Sequence, residues 1–152
     1  MAKPVVAPAP AALEDPLAGL LGYQLRRASQ SLMASLTRDL STLDLSVVEM
    51  SVLLVLFAHE GISQSDIGRV LDIRRANMVP LAAKLSARGL TAARSAGGRA
   101  VLLTLSERGE QVARSAQRII ARHEERILPG LSAEKRQRLT RTLHAIWAGS
   151  EE

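Results

Sequence analysis

The chain has 152 residues, 47% of them hydrophobic and 23% charged, with a net charge of +5 and no cysteine. That length suits one domain with a proper core, and the composition excludes a disordered chain. Without cysteine there are no disulfides, thiolate metal sites, cysteine nucleophiles or thiol-based redox sensors.

The first residues, MAKPVVAPAPAA, are rich in Pro and Ala and lack the basic flank and long apolar run of a secretory signal. They are expected to form a flexible arm over 1–15. No apolar run reaches the ~20 residues of a membrane span, so the expectation is a cytoplasmic protein with no membrane partner. From Asp15 to Leu40, Leu17, Leu21, Leu25, Ala28, Leu32, Leu36 and Leu40 recur at helical spacing, and Pro16 suits a first turn. One long helix over about 16–40 is predicted. Ser46 with Glu49 three residues on is a capping-box pair, opening a second helix from Val47 to His59 that is apolar on most of its surface. Gly61 ends it.

Ser63-Gln64-Ser65-Asp66 opens a short third helix, with Ile67, Val70 and Leu71 as its inward stripe. A turn at Asp72-Ile73 leads to a fourth helix running to Arg88 and stopped by Gly89. Two short helices joined by a tight turn make a helix-turn-helix. Gly97-Gly98 then separates two short runs, Leu90 to Arg94 and Ala100 to Leu105, which read as a hairpin. Ser106 caps a fifth helix over about 107–127, carrying Val112, Ala116, Ile119, Ile120, His123 and Ile127, and Pro129-Gly130 breaks it. Ser132 caps a sixth, whose apolar face holds Leu139, Leu143, Ile146 and Trp147.

Charge is unevenly placed. Residues 1–62 carry a net −2, residues 63–105 a net +5 and residues 106–152 a net +2. The helix-turn-helix and hairpin therefore hold an excess equal to that of the whole chain, a footprint suited to a phosphate backbone. Base edges are approached near the N-terminus of a recognition helix, where Arg74, Arg75, Asn77 and Val79 stand. Arginine can donate twice to guanine and asparagine can pair with adenine. Gln64 and Ser65 are placed for phosphate contacts, and Lys84, Arg94 and Arg99 complete the expected DNA-binding set. No catalytic grouping is visible. The three histidines show no metal-ligand spacing and are expected to be solvated or capping, so neither a metal nor a cofactor is expected.

Leu71-Asp72-Ile73-Arg74-Arg75-Ala76-Asn77-Met78-Val79, followed by Leu85-Ser86-Ala87-Arg88-Gly89-Leu90, resembles the recognition helix of the MarR family and its exit. Leu103-Thr104-Leu105-Ser106-Glu107-Arg108-Gly109 resembles that family's Leu-Thr-Leu-Thr-x-x-Gly strand-to-helix signature. The resemblance spans about residues 17–148. It implies a mainly α fold with a small β wing: a winged helix-turn-helix with six helices, a two-stranded hairpin and an intertwined homodimer. The implied organisation is a dimerisation helix at 16–45, a DNA-binding lobe at 46–105 and dimerisation helices at 106–152. The first and last two helices carry more apolar surface than one such lobe can cover, which also points to a dimer. Two-fold symmetry implies two recognition helices about one DNA turn apart on a near-palindromic operator.

Two departures stand out. Pro80 lies inside the recognition helix and has no N–H for the Ala76 carbonyl. At the wing tip the family's Asp-x-Arg becomes Gly97-Gly98-Arg99, which keeps the arginine as a minor-groove candidate and loses the acid that would brace it. Arg75-Ala76-Asn77-Met78-Val79-Pro80-Leu81 resembles a branch of the family that responds to hydroxycinnamic acids or their coenzyme A thioesters. The implied effector is a small organic anion, placed between the dimerisation helices and the DNA-binding lobe. Tyr23, Arg26, Arg27, Gln30, Met33, Met50, Leu54, Phe57 and Arg118 are the expected lining: arginine for a carboxylate or phosphate, Met and Phe for an apolar body. The expected function is a regulator, as a repressor released by such an effector. The alternative is a constitutive architectural DNA-binding protein without an effector.

Overall fold

The structure, a computed structural model, describes residues 14–95 and 101–149. Arg99 and its neighbours at the wing tip, and the arm at 1–13, lie outside the described residues. The first long helix, α1 (Leu21–Leu40), begins five residues later than Pro16 predicts. Asp15 stops it. Its Oδ1 accepts from the Leu17 N–H at 2.9 Å and closes a separate turn, while Gly19 and Gly22 weaken helix continuation on either side of Leu20. After α1 a 3₁₀ turn (Ser41–Leu43) and left-handed Asp44 (φ 51°) redirect the chain.

The second helix, α2 (Val47–Phe57), opens with the predicted capping box. The Glu49 N–H donates to Ser46 Oγ at 3.2 Å, and the Ser46 N–H donates to Glu49 Oε2 at 2.8 Å. Apolar around most of its circumference, α2 lies at the centre of the core, with Val52 and Leu53 fully buried among Leu40, Ile67, Leu85 and Ala116. It ends two residues before His59, and Ile62 exchanges two backbone hydrogen bonds with Leu103 (3.1 and 2.9 Å). This bridge, absent from the sequence reading, ties the α2 exit to the wing.

The third helix, α3 (Gln64–Val70), and the fourth, α4 (Arg75–Ala87), form the helix-turn-helix. Ile67 is buried and Leu71 half-buried, but Val70 is 63% exposed, which corrects the predicted stripe. At ~100° per residue the buried face centres on Ile67, Gly68 and Leu71, turning Val70 outward. Gly68 is there because a Cβ would stand 2.8 Å from the Ile73 carbonyl oxygen, while the Ile73 N–H donates to Gly68 O at 2.8 Å. Met78, Ala82 and Leu85 seat α4 on the core, and Pro80 is accommodated within a continuous helix.

The wing pairs β1 (Thr91–Ser95) with β2 (Val101–Leu105) antiparallel, Thr91 opposite Leu105 and Ser95 opposite Val101. The fifth helix, α5 (Glu107–Ile127), matches its predicted limits and packs on α1 and α2. The sixth, α6 (Ala133–Ala148), leaves Leu139, Leu143, Ile146 and Trp147 exposed, as are Leu17, Leu20 and Leu21 near the start of α1. Among the described residues no single helix is long and apolar enough to cross a membrane.

The tightest backbone approach is at Gly109, where a Cβ would fall 1.9 Å from the Leu90 carbonyl oxygen. Gly109→Ala should therefore cost about 4 kcal/mol or more, a fall in Tm of roughly 15 °C or failure to fold. Gly149→Ala, with nothing within 4 Å, should be near neutral in the same thermal melts. A Gly109→Ala protein as stable as the parent would contradict this packing.

Candidate nucleic-acid interface

The turn between α3 and α4 leaves one open groove of about 630 Å³ that gathers Gln64, Ser65, Arg69, Arg74, Arg75 and Val79, with Val101 of β2 at its edge. Asn77 is exposed on the first turn of α4 beside it. Each of α2, α3, α5 and α6 starts with a serine side chain accepting a backbone N–H and has an acid in its first turn. At those ends the positive pole of the helix is satisfied. The start of α1 is uncapped and without an acid, and the start of α4 differs from all of these by its charge. Its N-cap is Arg74, without a side-chain cap, its first residue is Arg75, and its first turn has no acid. Neither guanidinium has a partner among the described residues. Two arginines and unsatisfied N–H groups at a helix N-terminus are unfavourable in isolation, and an anion relieves all of them together.

Five of the predicted DNA-binding residues thus line the groove: Gln64, Ser65, Arg74, Arg75 and Val79. Lys84 and Arg94 do not. Lys84 lies nine residues along α4 from Arg75, with Nζ 3.0 Å from the buried Glu49 Oε1. Arg94, on β1, reaches back to the Glu60 carbonyl oxygen at 3.5 Å. Arg69 and Val101 line the groove without belonging to the predicted set. Arg69 was legible, one helical turn after Ser65, and its Nη1 pairs with Asp66 at 2.9 Å. Val101 reaches the groove only through the fold of the wing.

Glu49 is the most buried acid described, its side chain 3% exposed. Burial pushes its pKa up. Hydrogen bonds from the Ser46 backbone and side chain, and then the Lys84 ammonium, outweigh that and bring it to about 2. Arg88 adds a second cation, Nη1 at 3.3 Å from Oε1.

The expected effector residues are not brought to one place in a single chain. Met50 is buried in the core, and Leu54 and Phe57 are half-buried beside it. Tyr23, Arg26 and Arg27 cluster on α1. The Tyr23 hydroxyl donates to Asp15 Oδ2 at 2.9 Å and accepts from Arg27 at 3.0 Å, and the two guanidinium carbons lie 5.3 and 5.7 Å from its ring centroid. Gln30 and Met33 are exposed further along α1. Arg118, on α5, donates to Ser115 Oγ at 2.8 Å. Asp39 faces His123 (2.9 Å), and Ser35 accepts from Arg126 (3.1 Å), so α1 and α5 run antiparallel. At ~1.5 Å per residue, Arg27 and Arg118 are then about 25 Å apart along this pair. Phe57 instead lies under Arg114, 5.0 Å away, in a separate hollow of about 420 Å³ with His59 and Glu110. His123 departs from the expected solvated or capping role: it is 4% exposed and hydrogen-bonded to Asp39, which also holds Arg126. Among the described residues no group of three or more His, Asp or Glu could hold a metal ion.

A helix-turn-helix with an exposed basic second helix, followed by a two-stranded wing, defines the winged helix-turn-helix class. No family model matches the chain. The transcriptional repressor CouR, bound to a 23-mer DNA duplex, is 32% identical with a TM-score of 0.82, covering 90% of this chain and 99% of that one. CouR bound to p-coumaroyl-CoA is 31% identical with a TM-score of 0.76, covering 86% and 93%. The HTH-type transcriptional repressor Rv2887 of Mycobacterium tuberculosis is 28% identical over 128 residues, 83% of this chain and 92% of the relative. The crystal structure of Rv2887, a MarR family protein, matches with a TM-score of 0.66. The chain belongs to the MarR family of transcription regulators and is not an enzyme.

The low pKa of Glu49 has a pH consequence. A carboxylate at about 2 when folded and about 4.5 when unfolded contributes stability that is complete above pH 4.5 and lost as pH falls toward 2. The contribution is on the order of 3 kcal/mol. Urea titrations across that window should show a shallower acid loss in Glu49→Gln than in the parent, and identical slopes would contradict the assignment.

Proposed function

We propose that this chain is a sequence-specific double-stranded DNA-binding repressor that acts as a homodimer and is released by a small organic anion. The observation that carries the DNA reading is the start of α4: two arginines without partners among the described residues, on an uncapped helix end facing an open groove. The DNA complex of a relative 32% identical to this chain supports it. In this reading residues 46–105 form the DNA-binding lobe, and 16–45 and 106–152 form the dimer. The apolar residues left exposed at the start of α1 and along α6 supply the surface that a second copy would cover.

In vitro selection from random duplexes should yield a near-palindromic consensus, whereas a constitutive architectural protein would yield none. On the selected duplex Arg75→Ala should lose roughly tenfold or more in affinity, since a bidentate base contact is worth ~1–3 kcal/mol. Unchanged affinity would remove α4 from the recognition role.

For the effector, the p-coumaroyl-CoA complex of the 31%-identical relative supports an aromatic acid or its coenzyme A thioester. Arg26 and Arg27 around Tyr23 provide charge and an aromatic face for it. Calorimetric titration with p-coumarate and p-coumaroyl-CoA should show binding that weakens in Arg26→Ala and Arg27→Ala and lowers affinity for the selected duplex. Lack of binding by both compounds, or binding without effect on DNA, would overturn the effector reading and leave the DNA reading intact.

A further inference from the structure

We infer that the buried carboxylate of Glu49, acting through Lys84 and Arg88, sets the angle at which α4 stands in the DNA-facing groove. The inference rests on the reading of α4 as the recognition helix, and makes Glu49 a positioning residue that does not touch DNA. The two cations stand one turn apart, Lys84 on α4 and Arg88 at its C-cap, with Lys84 Nζ at 3.0 Å and Arg88 Nη1 at 3.3 Å from the same oxygen, Oε1. The other oxygen, Oε2, accepts from the Ser46 N–H at 2.8 Å, so the carboxylate is fixed in the cap of α2. Arg88 extends the tie to the α1–α2 corner, donating to the Leu43 carbonyl oxygen at 3.4 Å and facing Asp44 at 3.4 Å.

The rest of the seating of α4 is less directional. Met78, Ala82 and Leu85 pack on the core through apolar contacts, which lack the directionality of an ion pair or hydrogen bond. Pro80 leaves the Ala76 carbonyl without its i+4 helical donor, one hydrogen bond fewer in the half of α4 that carries Arg75. Lys84 stands ~13 Å along the axis from Arg75, so a tilt of ~10° about that end would move Arg75 by ~2 Å. That exceeds what a bidentate hydrogen bond tolerates. Lys84 is on this account withdrawn from DNA contact, although it is a lysine on the recognition helix.

The test is a double-mutant cycle read on DNA affinity, using the in vitro selected duplex and a random duplex. Glu49→Gln and Lys84→Met should each weaken the selected duplex about tenfold and the random duplex less than about threefold. The double variant should be no weaker than the weaker single, and Lys84→Arg should restore affinity to within about twofold of the parent. Thermal melts identify variants that stay folded; if Glu49→Gln does not, the contrast between Lys84→Met and Lys84→Arg on the two duplexes still decides. Equal losses on both duplexes for Lys84→Met, with a salt slope reduced by about 1, would make Lys84 a phosphate contact and overturn the inference. Folded variants with unchanged affinity for the selected duplex would overturn it as well. A parent protein with no preference for the selected duplex would instead fail the DNA reading, and this inference with it.

Discussion

The contact on which the architecture depends joins the exit of α4 to the entry of α5. Four features meet there within a few residues. The Ser106 N–H donates to Leu90 O at 3.1 Å, and the Ser106 hydroxyl donates to Gly89 O at 2.6 Å. Arg108 donates to Arg88 O at 3.1 Å, and Gly109 presses on the Leu90 carbonyl with no room for a side chain. The same Ser106 hydroxyl oxygen accepts from the Gly109 N–H and so caps α5. One serine and one glycine thus start a long helix and lock it to the end of α4. This joint couples the helix-turn-helix to α5, and it accounts physically for the strand-to-helix signature in Leu103 to Gly109.

Electrostatics then differentiates the helix ends. Four helices start with a serine cap and an acid, and α4 starts with two arginines. That arrangement is locally unfavourable, and local conflicts of this kind concentrate where a protein meets a ligand. Met78 and Leu85 offset part of the cost by burying the opposite face of the same helix. The basic character of residues 63–105 is not used uniformly. Arg74 and Arg75 face the open groove, whereas Lys84, itself largely exposed, and Arg88 pair with the buried Glu49.

Features encoded over a few residues were legible in the sequence. Ser106 and Pro129-Gly130 bracket α5, so its approximate limits were legible, and the Ser46/Glu49 box and the wing strands followed from local chemistry. Features that depend on distant partners were not. Asp15 opens a separate turn before α1 because it accepts from Leu17 and Tyr23, which no periodicity reveals. Lys84 and Arg94 read as basic residues near a recognition helix, yet their partners lie at Glu49 and Glu60. His123 looked like one position in an apolar stripe, and its partner Asp39 is 84 residues away. The groove residues Arg74 and Arg75 were legible for the converse reason: their placement is fixed by an adjacent turn. The expected effector set spread over α1, α2 and α5 because sequence order carries no register between these helices.

The central claim is that two copies of this chain present two recognition helices to one face of a duplex. Hydroxyl-radical footprinting of the protein on an in vitro selected duplex tests it most directly. The account predicts two protected patches of equal strength, related by two-fold symmetry and separated by ~10 base pairs, about one turn. A single protected patch, or uniform protection along the duplex, would contradict it.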